Sequence, residues 1–264
     1  MSPMQRPERV RWVIGAAIFL QAWGLYAKVW KAPSAINTTV FITLDASEQV
    51  AHVVDQGGAL VLLAASALAF WWPHAALLWG SALWMSVMAL AITLQDGSHF
   101  ARWALLAWGA RISAPLTLWA WRHPRWRAHA HWVARVGISA TFGIHGVEAL
   151  WAHPTFVDLL SGAWSRFFGL SLVQEHAVVL LWIIGVVDLV CAALVLWPRA
   201  TRKIAWYMVL WGAVTALSRF VQWGAPGWPA VLLRASHGLL PLALWWMWGR
   251  GAQPEPRASE PSHD

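Results

Sequence analysis

Hydrophobic positions fall in long blocks separated by short polar stretches. Eight blocks stand out, at residues 12–30, 51–72, 76–95, 103–121, 133–152, 176–197, 204–222 and 229–248. Each is about 19 to 22 residues long, against the roughly 20 that a helix needs to cross a ~30 Å hydrocarbon layer. The pattern predicts an all-α, polytopic integral membrane protein with eight transmembrane helices. At 59% hydrophobic and 12% charged residues, the chain is neither a disordered segment nor an ordinary soluble domain.

The blocks repeat. The third and seventh align without gaps at a constant offset, so that Trp79 meets Trp206, Trp84 meets Trp211, Gln95 meets Gln222 and Gly97 meets Gly224. Gly15, Gly24, Ala27 and Trp30 match Gly137, Gly146, Ala149 and Trp151 with one gap, and Pro115 matches Pro241. The expected architecture is a tandem repeat of two four-helix bundles, residues 11–122 and 135–250. A basic linker, 123–134, joins them, with a short N-terminal segment (1–10) before and a polar tail (251–264) expected to be disordered after. An even number of spans per unit makes the two units parallel rather than inverted. The same repeat argues against reading the basic, apolar start as a cleaved signal, because it has a counterpart later in the chain.

Charge sets the expected orientation. Of the 19 basic residues, 12 fall before the first block, between the fourth and fifth, between the sixth and seventh, or after the last. If the spans alternate, these lie on one side, and both termini are cytoplasmic in a bacterial-type inner membrane. The formal net charge of +7 then reflects topology, and no basic patch on a soluble domain points to nucleic acid. Most of the 24 tryptophans sit at block ends, as in an interfacial belt. Trp23, Trp84, Trp108, Trp182 and Trp211 are deeper, where packing explains them. Cys191 is the lone cysteine, so there is no disulfide framework. His123, His129 and His131, dispersed among Arg and Trp, read as an interfacial basic segment rather than a metal site. Two long connections, 31–50 and 153–175, occupy matching places; the second reads equally as an interfacial helix or lid and as a packed loop.

The stretch GIHGVEALW, residues 143–151, carries two ionisable side chains that do not belong in hydrocarbon. His145 and Glu148 are spaced i,i+3 on one helical face, with Gly146 and Ala149 beside them for close helix approach. Counted from the cytoplasmic ends, His145 and Asp188 reach mid-membrane, while Glu148, Arg219 and Arg234 lie in the outer half, with His237 one turn after Arg234. The first unit places Lys28, Asp55 and Arg111 at comparable depth, near Gln21 and Gln56. Each such charge costs about 2.5–3.5 kcal/mol on insertion scales, so partners are expected. The economical pairs are Glu148 with Arg234, Asp188 with His237 or His145, and Lys28 with Asp55; Arg111 has no acid in its own unit. Together these nine residues form a candidate outward-facing binding site, with a surplus of positive charge suited to a small anion or an electron-rich head group. His145 and His237 could also ligate a b-type haem, a weaker reading than a hydrogen-bonded network.

The second unit resembles the DoxX family of four-helix membrane proteins. The resemblance rests on GIHGVEALWAHP, GVVDLVCAALVLWPR, RKIAWYMVL and LLRASHGLLPLAL for its four spans, and on GGALVLLAASALAFWWP in the first unit. It implies a membrane subunit of quinone-linked oxidoreductases, thiosulfate:quinone oxidoreductase being the best-known activity. The basic residue that follows the first-span glycine in that family is Lys28 in the first unit and Leu150 in the second. A quinone entering between helices, with a redox partner subunit, is the expectation that follows. A small-molecule or anion transporter built on the repeat, and a non-catalytic assembly subunit, are the alternatives.

Overall fold

The computed structural model describes residues 5–197 and 201–248, and all regular structure among them is helical. In chain order the helices are α1 (Gln5–Val29), α2 (Ala35–Thr38), α3 (Glu48–Trp71), α4 (Ala75–Gln95), α5 (Ala104–Ala107) and α6 (Gly109–Arg122). There follow α7 (Ala130–Leu150), α8 (Pro154–Phe168), α9 (Gln174–Leu196), α10 (Thr201–Trp223), α11 (Trp228–Leu232) and α12 (Ala235–Met247). The tail expected to be disordered lies outside the described residues. The N-terminal segment is shorter than expected, because α1 already begins at Gln5.

Five helices are long and apolar enough to cross a membrane: Pro7–Val29 of α1, α3, α4, α9, and Arg202–Trp223 of α10. A sixth candidate is the pair α11 and α12, bent by 44° at the break between them. Block 103–121 is likewise divided, into α5 and α6. Helix α7 has 21 residues, but Arg135, His145 and Glu148 interrupt its apolar run. The protein is thus an all-helical membrane protein in which two of the expected straight spans are broken.

Local chemistry sets the helix limits. Ser47 caps α3 by accepting from Val50 N at 3.3 Å, and His74 Nδ1 accepts from Ala76 N at 3.4 Å at the start of α4. Pro154 sits in the first turn of α8, where a missing N–H costs nothing, and Gly169 ends that helix at φ +70°. The second long connection is therefore a helix, not a loop.

Helices α1, α6, α7 and α12 form the middle of the bundle. Helix α1 packs on α3, α6, α11 and α12, and α7 packs on α6, α9 and α12; α4 lies on α6, and α10 on α12. Helices α7 and α9 meet backbone to backbone. A Cβ on Gly146 would lie 2.9 Å from Gly185 O, and one on Gly185 would lie 2.7 Å from Gly146 O. Only glycine on both sides allows that spacing, the close approach expected beside His145. Outward faces of α3, α4, α9 and α10 are rich in exposed Leu, Val and Trp, as lipid contact requires.

One apolar core gathers Ile14, Ile18, Leu118, Ile138, Met208 and Leu240; a second gathers Leu25, Leu62, Met85, Met88 and Leu233 around the other end of α1. The buried polar side chains Gln21, Arg111, Thr141 and His237 belong to neither.

Candidate functional site

The two helix breaks organise the polar centre. Trp108 (φ −92°, ψ 4°) separates α5 from α6, and Arg234 (φ −99°, ψ 9°) precedes α12. A break leaves backbone groups without helical partners, and in a membrane those must be filled by protein. Ala110 N, freed by the first break, donates to Thr141 Oγ1 of α7 at 2.7 Å, and Gln21 Nε2 of α1 donates at 3.1 Å to Arg111 O, the carbonyl that Pro115 leaves without a helical donor. Arg111 Nε reaches Leu233 O at the end of α11, at 2.9 Å, while its guanidinium lies 4.4 Å from the centre of the Trp108 ring. Arg111 thus ties one break to the other. Arg234 Nη1 turns back to Ala230 O, at 3.2 Å.

His145 and Glu148 meet as their spacing predicts, with Nδ1 2.8 Å from Oε2. With the carboxylate as acceptor, Nδ1 donates, and Nε2 is left to face elsewhere. The His145 ring lies 5.7 Å from that of His237 and 5.7 Å from Phe156 of α8. His237 is only 4% exposed, and its Nε2 has no hydrogen-bond partner.

These groups front a cleft of about 170 Å³ among α7, α8, α9, α10 and α12. Phe156, Leu159, Leu160 and Ala163 of α8 roof it, and Gln222 Nε2 of α10 holds α8 by donating to Asp158 O at 3.0 Å. His145, Asp188, Arg219, Arg234 and His237 line the cleft among mainly apolar neighbours. The Trp211 indole donates to Asp188, whose Oδ1 has no partner. Arg219 Nη1 bonds back to Thr215 O and lies 3.5 Å from Ser218 Oγ.

The expected ion pairs are not those formed. Glu148 pairs with His145 rather than Arg234, because the i,i+3 neighbour is already in reach on the same helix. Among the described residues Asp188 makes no ion pair with His237 or His145, and Lys28 makes none with Asp55. Asp55 is filled instead by Ser34, whose N and Oγ donate at 2.9 and 2.5 Å. Five of the nine expected site residues therefore line the cleft. Glu148 stands behind His145, Lys28 and Arg111 sit within electrostatic reach of Arg234, and Asp55 serves a different junction.

Sequence reasoning assigned Trp211 to packing and passed over Thr215 and Ser218; all three line the cleft with Arg219. Their signal was present: spaced i, i+4 and i+7, they share one face of α10. The α8 roof could not be told from a loop, since Asp158 and Arg166 interrupt its apolar residues.

No protein-family profile matches the chain, and no curated protein or solved structure is significantly similar to it. Function must therefore be argued from the cleft itself.

Proposed function

We propose that the protein is a DoxX-like membrane subunit that binds a lipid-soluble quinone in this cleft and serves quinone-linked oxidoreduction. The observation that carries the proposal is the cleft: apolar walls, a helical roof, and a few converging polar groups, His145, His237, Asp188 and Arg219. That is the balance a flat apolar molecule with polar ring oxygens calls for. The arginine and imidazole N–H groups would donate to its carbonyl oxygens, and a redox partner subunit would supply electrons. The b-type haem alternative fits poorly, because the two imidazoles are in mutual ring contact, 5.7 Å apart and tilted by 56°, with no slot for a macrocycle between them.

The site belongs, in the same proposal, to eight spans arranged as two parallel four-helix units, with both termini cytoplasmic in a bacterial-type inner membrane. Support comes from matched features: breaks at Trp108 and Arg234, prolines at Pro115 and Pro241, and left-handed glycines Gly97 and Gly224, each at φ +63°. Helix pairs α1–α3 and α7–α9, α4–α6 and α10–α12, and α6–α7 and α12–α1 also correspond. The cleft would then face outward.

Calorimetric titration of the purified protein with short-chain ubiquinone and menaquinone analogues tests the function. Saturable binding that is lost on His237→Phe is expected; no saturable binding of either analogue would sink the quinone reading. The paired helix breaks favour a second reading, a transporter, since broken helices at corresponding places of two halves often frame a transported substrate. Uptake into proteoliposomes, absent from protein-free vesicles, would select it.

A further inference from the structure

We infer that the cleft is built to hold an oxyanion between Arg219, Arg234 and His237, at the N-terminal end of α12. It rests on the cleft being a ligand site, as proposed above, but not on that ligand being redox-active.

Four cations cluster here, since Lys28, Arg111, Arg219 and Arg234 are all within electrostatic reach of one another or of a shared neighbour. The acids do not match them. Glu148 is engaged by His145 at 2.8 Å and also lies within electrostatic reach of Arg234, but neither Arg219 nor Arg234 is in an ion pair among the described residues. Asp188 receives Trp211 on another helix and neutralises neither arginine within ion-pair distance. The two cleft arginines spend one nitrogen each on backbone carbonyls of their own helices, Thr215 O and Ala230 O. A guanidinium has five donors in a planar fork, so most of each remains for something in the cleft.

Two further features aim at the same point. Arg234 is the residue that caps α12, and His237 is the third residue of that 13-residue helix; both line the cleft. The helix start carries positive dipole, which favours an anion. His237 Nε2 is buried and unpartnered, a donor or acceptor with no role inside the protein. Uncompensated charge in a low-dielectric site is costly, and a bound oxyanion relieves it. The carrier of that oxyanion is either a free small anion or an amphiphile whose chain lies along Phe156, Leu159 and Leu181.

The test is calorimetric titration of the full chain in non-ionic detergent, at constant ionic strength, with inorganic phosphate and with hexyl phosphate. Saturable binding of either supports the inference; tighter binding of hexyl phosphate assigns the amphiphile, and equal binding assigns the free anion. Arg219→Gln and Arg234→Gln should each weaken binding about tenfold or more, the size expected for a lost charge-assisted bond. Arg219→Lys should retain part of it. Absence of saturable binding by the parent protein overturns the inference whether or not the variants fold. So does unchanged affinity in folded Arg219→Gln and Arg234→Gln. A quinone analogue titrated in parallel separates the two ideas: quinone binding without phosphate binding defeats only this one, and the reverse defeats only the quinone.

Discussion

Two aspartates are buried in apolar helices, Asp55 in α3 and Asp188 in α9, and the chain uses them differently. Asp55 is 1% exposed and both its oxygens are filled by Ser34, whose hydroxyl also caps α2 by accepting from Ile36 N at 3.1 Å. That acid closes a junction between α2 and α3. Asp188 is 6% exposed, keeps one oxygen unpartnered, and fronts an open cleft. The tryptophans beside them differ in the same sense. Trp84 lies over Gly58, where an added Cβ would come within 1.9 Å of the ring, whereas Trp211, its match in sequence, looks into the cleft. A buried polar atom left unpaired costs about 1–3 kcal/mol, and a membrane bundle offers no water to absorb that. The closed acid reads as structure and the open one as a place kept for a ligand.

The comparison breaks first at Asp55. Asp55→Asn should cost about 3 kcal/mol, because the amide cannot accept both Ser34 donors and two charge-assisted bonds are weakened together. Denaturant titration in mild detergent measures it, and a loss no larger than that of Asp188→Asn would erase the distinction. Next comes Arg111→Gln, expected to lose about 2 kcal/mol by leaving the Leu233 carbonyl unpaired at a helix break. In the cleft, Arg219→Gln should change stability by less than about 1 kcal/mol, since the Arg219 hydrogen bonds return to its own helix. Equal losses for the two arginines would mean that both are structural.

The His145–Glu148 pair sharpens the picture further. A double-mutant cycle of His145→Phe and Glu148→Gln should give a coupling of about 1 kcal/mol, whereas the same cycle between Glu148 and Arg234→Gln should give a smaller one, since these two are within electrostatic reach without an ion-pair contact. Strong coupling to Arg234 would restore the cross-helix pair that the sequence suggested. The smallest effect is expected at Asp188→Asn, under about 1 kcal/mol in thermal unfolding, because no basic partner within ion-pair distance is lost.

Much of the frame was legible before any coordinates. Block lengths and the scarcity of charge in them mark α3, α4 and α9 as membrane helices, because hydrocarbon imposes a length that soluble cores do not. His145 and Glu148 could be placed on one face from spacing alone, and Gly146 as a contact point from its size. The helix breaks were not legible at their true positions. Pro115 and Pro241 drew attention, yet the chain breaks about two turns earlier, at Trp108 and Arg234, where Thr141 of α7 and Arg111 of α6 take over freed backbone groups, while Gln21 of α1 fills the carbonyl that Pro115 leaves open. Those partners are distant in sequence, so no local pattern announces them. Pairings failed for a related reason. Depth along a helix can be counted from sequence, but rotation about its axis and the reach of a loop serine such as Ser34 cannot.

The central claim is that the cleft beneath α8 holds a ligand while the junction at Asp55 does not. Native mass spectrometry of the protein, extracted from its membrane in mild detergent, tests this most directly. A bound molecule of defined mass should accompany the parent protein and folded Asp55→Asn, and should be lost from folded Arg219→Gln. Retention of the same mass by Arg219→Gln, with loss from Asp55→Asn, would contradict the account.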